Sequence, residues 1–179
     1  MKKFVCLTGL VFVILASVFS QDLAQTQPKP GTKAPVITHS YAIEKGRYGD
    51  VLKVYVEAND PDSDMFRIAV VVDQVGEGRY PTDWIYLKSQ DKGHFVGYLQ
   101  WNTYSSNMDA LSEWTYIAIK VSVFDKAGNE SNVVVFPFEF ISEVISNPPL
   151  PAPFNVANIP RLGHIDINLF EPLETVGHD

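Results

Sequence analysis

The chain has 179 residues, 46% hydrophobic and 20% charged, with 14 Lys and Arg against 21 Asp and Glu. That much apolar surface excludes a wholly disordered chain. The acidic balance, with no basic run, excludes a nucleic-acid or anionic-lipid binder, because both need clustered Lys and Arg.

Met1-Lys2-Lys3 followed by apolar Phe4 to Ser20 reads as a secretory signal peptide cut before Gln21. Cleavage takes away Lys2 and Lys3 and no acid, so the formal charge moves from −7 to −9. It also removes Cys6, the sole cysteine, which leaves no disulfide, thiolate metal site or cysteine nucleophile. The expectation is export to the periplasm, cell surface or extracellular space, with no membrane span after cleavage. Residues 21–34 are polar, with Pro28, Pro30 and Gly31, and read as a linker.

Residues 35–145 carry short alternating segments separated by turn clusters. Leu52, Val54, Val56 and Ala58 share one face of a strand, and Lys53, Tyr55 and Glu57 share the other. After the turn Asn59 to Asp64, Phe66, Ile68, Val70 and Val72 form the next inward set, against Arg67, Ala69, Val71 and Asp73. Trp84 to Leu87 and His94 to Trp101 follow, the latter with Phe95, Gly97, Leu99 and Trp101 inward. A helical turn is expected only around Met108 to Leu111. The clearest signal is a hairpin. Ile117, Ile119, Val121 and Val123 alternate, Asp125 to Ser131 turns the chain, and Val134, Phe136, Phe138 and Phe140 alternate again. Pro137 cannot donate to a ladder, which places its strand at an edge or a bulge.

Seven strands are expected, near 35–41, 50–58, 65–73, 83–88, 93–101, 114–124 and 132–141. With no crossover helix between them, the pattern predicts an all-β sandwich rather than a parallel α/β sheet. Residues 146–179 form a proline-rich extension with one strand-like segment, Ile165, Ile167 and Leu169. The prolines at 148, 149, 151 and 153 read as a stiff stretch leaving the domain. The orphan segment then has three fates: docking on its own sandwich, docking on a partner's sheet edge, or disorder.

Ile119-Lys-Val-Ser-Val-Phe-Asp-Lys-Ala-Gly-Asn-Glu-Ser131 resembles the last two strands of bacterial immunoglobulin-like and fibronectin type III-like domains. Gly49-Asp50 leading into Leu52-x-Val54-x-Val56-x-Ala58 is similar to their second strand, and Pro35-Val36-Ile37 to their first. The resemblance covers roughly residues 34–142. The position that fibronectin type III domains fill with a corner tyrosine is Ile117 here, with Tyr116 one residue off, so the resemblance favours a generic immunoglobulin-like sandwich. It implies a binding or spacer module and brings no catalytic residues.

Asp60, Asp62 and Asp64 alternate in one loop, and the implied sandwich brings Asp125, Asn129 and Glu130 to the same end. Together, Asp60, Asp62, Asp64 and Asp125 are candidate oxygen ligands for Ca²⁺. Asp, Pro and Ser are equally good turn formers. The histidines His39, His94, His164 and His178 have no zinc-pair spacing and read as solvated surface residues. Among the aromatics, Trp101 reads as core, while Tyr55 and Tyr98 are better placed for exposure. No motif with a catalytic mechanism is present. The chain therefore reads as an exported, non-catalytic binding or assembly module whose partner is a protein or a polysaccharide. A carbohydrate-binding accessory domain is the alternative, and an enzyme comes third.

Overall fold

The computed structural model describes residues 31–106, 115–144 and 148–170. The expected signal peptide, most of the linker, the helical turn near Met108 and the last nine residues lie outside the described residues.

The described residues form ten strands: β1 (Val36–Tyr41), β2 (Lys45–Gly46), β3 (Val51–Asn59), β4 (Met65–Gln74), β5 (Gly78–Arg79), β6 (Asp83–Tyr86), β7 (His94–Asn102), β8 (Tyr116–Asp125), β9 (Val134–Phe140) and β10 (Arg161–Ile165). Seven of them fall within two residues of the expected bounds; β2, β5 and β10 are additional. Among the described residues there is no α-helix, and no helix is long and apolar enough to cross a membrane.

The strands make two sheets. The first runs β1-β3-β7-β10, and the second β2-β9-β8-β4-β5, with β6 also paired to β4. Putting the first, second and fifth long strands in one layer and the third, sixth and seventh in the other is immunoglobulin-like connectivity. Inward side chains of both layers meet in one core, with Val54, Val56, Ile68, Val70, Leu99, Ile119 and Val121 fully buried and Phe136 nearly so. Trp101 lies in that core as expected.

The hairpin turn explains its own sequence. Asn129 donates its backbone N–H to Asp125 Oδ1 at 2.7 Å and its side-chain amide to Oδ2 at 2.6 Å. Gly128 takes φ +90°, a conformation that L side chains resist. Ser131 Oγ accepts the Val123 N–H at 2.9 Å. Asp125, Gly128, Asn129 and Ser131 of the run thus hold a tight β8–β9 turn. Pro137 sits where the edge of β9 is free, since β2 pairs only with Glu139 and Phe140.

Two expectations change. Phe66 does not join the inward set: the register shifts between Met65 and Arg67, Met65 takes the buried place, and Phe66 is exposed. Period-2 counting cannot see a bulge. The proline-rich stretch does not leave the domain. It crosses the outer face of the first sheet, where Phe154, 1% exposed, lies 5.5 Å from the Tyr55 ring. β10 then adds to β7 in parallel.

Ile165 at the end of β10, and Ile167 and Leu169 beyond it, fill the core. Trp101 Nε1 donates to the Ile167 carbonyl at 2.9 Å, and Ser105 Oγ to the Leu169 carbonyl at 2.6 Å. Gln74 Nε2 donates to the Phe170 carbonyl at 2.9 Å, while the Phe170 N–H donates to Tyr80 Oη at 2.7 Å. Of the three fates open to this segment, the structure shows docking on its own sandwich. Phe170 itself stays half-exposed, stacked on Tyr80.

Candidate functional site

With the tail in place, the two outer faces differ. On the first sheet, Tyr41, Tyr55 and Tyr98 form one cross-strand row. Tyr55 is 9% exposed because Phe154 covers it. Its expected exposure is therefore corrected: the covering ring comes from a segment that strand alternation does not include.

The outer face of the second sheet is open. Cross-strand pairing sets its side chains in rows. Tyr86, Arg67 and Phe124 form the first row, and Trp84, Ala69 and Ser122 the next. Val71, Lys120 and Val135 follow, then Asp73, Ala118 and Pro137. Tyr86 is 60% exposed and Val135 is 51% exposed. The Arg67 guanidinium stacks 3.7 Å from the Trp84 ring centre, and Phe124 meets Trp84 edge-on at 5.4 Å. Phe66 packs edge-on against Tyr86 at 5.2 Å.

An ion cluster divides this face. Arg79 Nε donates to Asp73 Oδ1 at 2.7 Å, and Lys120 Nζ donates to Oδ2. Arg79 first, then Lys120, hold the Asp73 carboxyl down at about 2. On one side lies a groove of about 560 Å³, lined by Val75, Gly78, Tyr116, Ala118 and Pro137 and flanked by the cluster. On the other lies a smaller concavity of about 230 Å³. Its lining includes the small residues Ala69 and Ser122, with Trp84, Phe124 and Val133 around them. At the β9 end of the face, Lys45 and Tyr116 both bond to Glu139 and lower its carboxyl, Lys45 contributing first.

The candidate calcium ligands divide. Asp60 Oδ1 and Oδ2 accept the backbone N–H groups of Asp62 and Asp64 at 3.0 and 2.9 Å. Asp62 is exposed and accepts the Lys33 N–H. Asp125 belongs to the hairpin turn. Asp64 lies between Asp60 and Asp125, with Oδ1 buried and unpaired. Burial first, then its bond with Asp60 and the charge of Asp125, raise its carboxyl above the ordinary range. The expected meeting of the two loops occurs, and Lys126 N–H donates to the Asp64 carbonyl. Most of these oxygens serve turns, however. Among the described residues no group of three or more His, Cys, Asp or Glu side chains is set to hold a metal ion.

One cluster escapes sequence reading. His39 Nδ1 and His94 Nε2 lie 2.6 and 3.0 Å from the two oxygens of Glu57. His94 first, then His39, lower the Glu57 carboxyl. The three residues come from β1, β3 and β7, and their approach depends on register alone. The concavity on the second sheet was equally hidden. Ala69 and Ser122 are legible as outward residues, but Trp84 reaches them only because β6 folds back beside β4.

No family model matches the chain, and no curated protein matches it. Among solved structures it is similar to the fibronectin(III)-like modules of CbhA from Clostridium thermocellum, at 14% identity and a TM-score of 0.38, over 64% of this chain and 52% of that chain. The chain thus spans about half of that structure. It is also similar to the CARDB domain of the PF1109 protein from Pyrococcus furiosus, solved in complex with di-metal ions, at 12% identity and a TM-score of 0.33, over 62% of this chain and 91% of that one. The immunoglobulin-like class rests on the strand order given above.

Proposed function

We propose that this is an exported, non-catalytic binding module whose working surface is the outer face of the second sheet. One observation carries the proposal. The C-terminal segment covers Tyr55 on the outer face of the first sheet, whereas Tyr86, Tyr116, Val133 and Val135 stay exposed on the second. Exposed apolar side chains gathered on one face of a sheet favour an interface. The leading partner is a protein that packs on the apolar groove between Val75, Tyr116 and Pro137. A specific observation favours a second ligand class on the other half of the face. Trp84, Tyr86 and Phe124 cluster there with Arg67, an arrangement suited to stacking on sugar rings.

Export rests on the basic start and apolar run of residues 1–20. Intact-mass measurement of protein recovered from the medium or envelope tests it: a chain beginning at Gln21 is expected, and one retaining Met1 to Ser20 overturns it. The protein-binding half is tested by affinity capture from the source cells' envelope fraction. One discrete protein is expected to co-purify with the parent and to be lost with Val75→Glu at unchanged melting temperature. Equal loss with Lys53→Glu, on the first sheet, would sink the assignment to this face.

A further inference from the structure

We propose that the concavity bounded by Trp84, Phe124, Arg79 and Lys120 is a binding site for a single acidic sugar unit, a uronate of an extracellular polysaccharide. This deepens the carbohydrate reading of the aromatic half of the face and is independent of protein docking in the groove beyond the ion cluster.

The shape comes from side-chain size. Ala69 and Ser122 are neighbours in one cross-strand row and are almost wholly buried, so the sheet surface dips between them. Trp84, paired to Ala69, raises one wall, and Phe124 and Val133 raise others. The resulting 230 Å³ has room for one pyranose ring and little more. Arg67 stacks on the indole and is not part of the lining. The guanidinium thus fixes the ring from outside the concavity, leaving other indole surface to meet a ligand. A flat aromatic surface beside the hydroxyls of Ser122 and Thr82 suits a ring with an apolar face and polar edges.

The charge asks for an anion. Two cations, Arg79 and Lys120, share one carboxylate, Asp73, which leaves a net positive charge at that end. Arg79 uses Nε and Nη2 on Asp73, and Lys120 spends one of its N–H donors there. Both keep N–H groups for a second acceptor. The opposite end is acidic. Glu130 bridges to Phe124 along the backbone, four residues along β8 from Lys120, which is about 13 Å of extended strand. A ligand with one carboxylate and several hydroxyls fits both ends: the carboxylate meets Lys120 and Arg79, and hydroxyl donors meet Glu130. A ligand anionic at both ends is repelled by Glu130.

The test titrates the purified chain, by calorimetry at low salt, with methyl galacturonoside, which carries one carboxylate, and with its methyl ester. The acid is expected to bind at least about 10-fold more tightly than the ester, the weight of a charge-assisted contact, and to weaken as salt is added. Lys120→Ala should remove the difference between acid and ester. Ala69→Leu, which fills the floor from the outer face, should abolish binding of both while the melting temperature holds. Equal affinity for acid and ester overturns the anionic assignment. No binding of either probe, or undiminished binding by Ala69→Leu, overturns the site. Val75→Glu, in the neighbouring groove, should leave the sugar titration unchanged, so failure of the protein reading and failure of this one give different results.

Discussion

Leu169 lies in the tail, 29 residues after β9 ends at Phe140, yet it is fully buried in the core. Leu169→Ala should therefore behave as a core truncation. Removing a buried leucine side chain costs about 2–5 kcal/mol, from lost transfer free energy plus the cavity left behind. The high end applies where surroundings cannot collapse. Here the neighbouring backbone is pinned, since the Leu169 carbonyl accepts from Ser105 Oγ and the Phe170 N–H donates to Tyr80 Oη. We expect about 3 kcal/mol, which for a domain of this size lowers the melting temperature by about 10 °C or more. Asn168→Ala, one residue earlier and exposed, is the control and should stay within about 0.5 kcal/mol. Urea unfolding followed by tryptophan fluorescence is the assay, because Trp101 bonds to the Ile167 carbonyl and reports on the same region. Deleting residues 148–179 should cost more than Leu169→Ala alone, since it also removes Phe154, Ile165 and Ile167 from their buried positions. Equal midpoints for Leu169→Ala and Asn168→Ala, or a deletion that leaves the midpoint in place, would refute the conclusion that the tail belongs to the cooperative fold.

Gly97→Ala should destabilise by about 1–3 kcal/mol, because an added Cβ would collide with Leu162; adding Leu162→Ala should recover part of that loss in a double-mutant cycle. Asp73 has a folded value of about 2, below its ordinary 3.8, so its stabilisation is complete above 3.8 and is lost as pH falls toward about 2. Asp73→Asn should thus be less stable than the parent near about pH 6, with the gap closing near about pH 2, as read from urea midpoints. A constant gap would contradict the ion cluster. Asp64 has the opposite sign. Its raised carboxyl opposes folding while ionised, so Asp64→Asn should raise the melting temperature at neutral pH, with the gain vanishing once acid protonates the parent. Millimolar Ca²⁺ against chelator should leave the parent's melting temperature unchanged, because the oxygens of Asp60 and Asp125 already serve turns; a rise of several degrees would restore the metal reading.

Alternation in the sequence determined the strands, because a side-chain period of two leaves little freedom once one face is apolar. Ile117 to Val123 and Phe136 to Phe140 are buried as that period requires. Asp125 to Ser131 also specified its own turn, since Asp125 accepts two bonds from Asn129 and Ser131 Oγ accepts the Val123 N–H. What the alternation could not carry is the register between strands distant along the chain. The bulge that turns Phe66 outward depends on pairing with β8, and the burial of Tyr55 depends on Phe154, far along in the tail. His39 and His94 meet on Glu57 only because three strands align. The same holds for the candidate site. Ala69, Trp84, Ser122 and Arg79 carry no shared spacing, and they line one concavity because β6 and β8 both pair with β4. Local chemistry fixes strands and turns, whereas a binding face is a product of register, which only the assembled sheets decide.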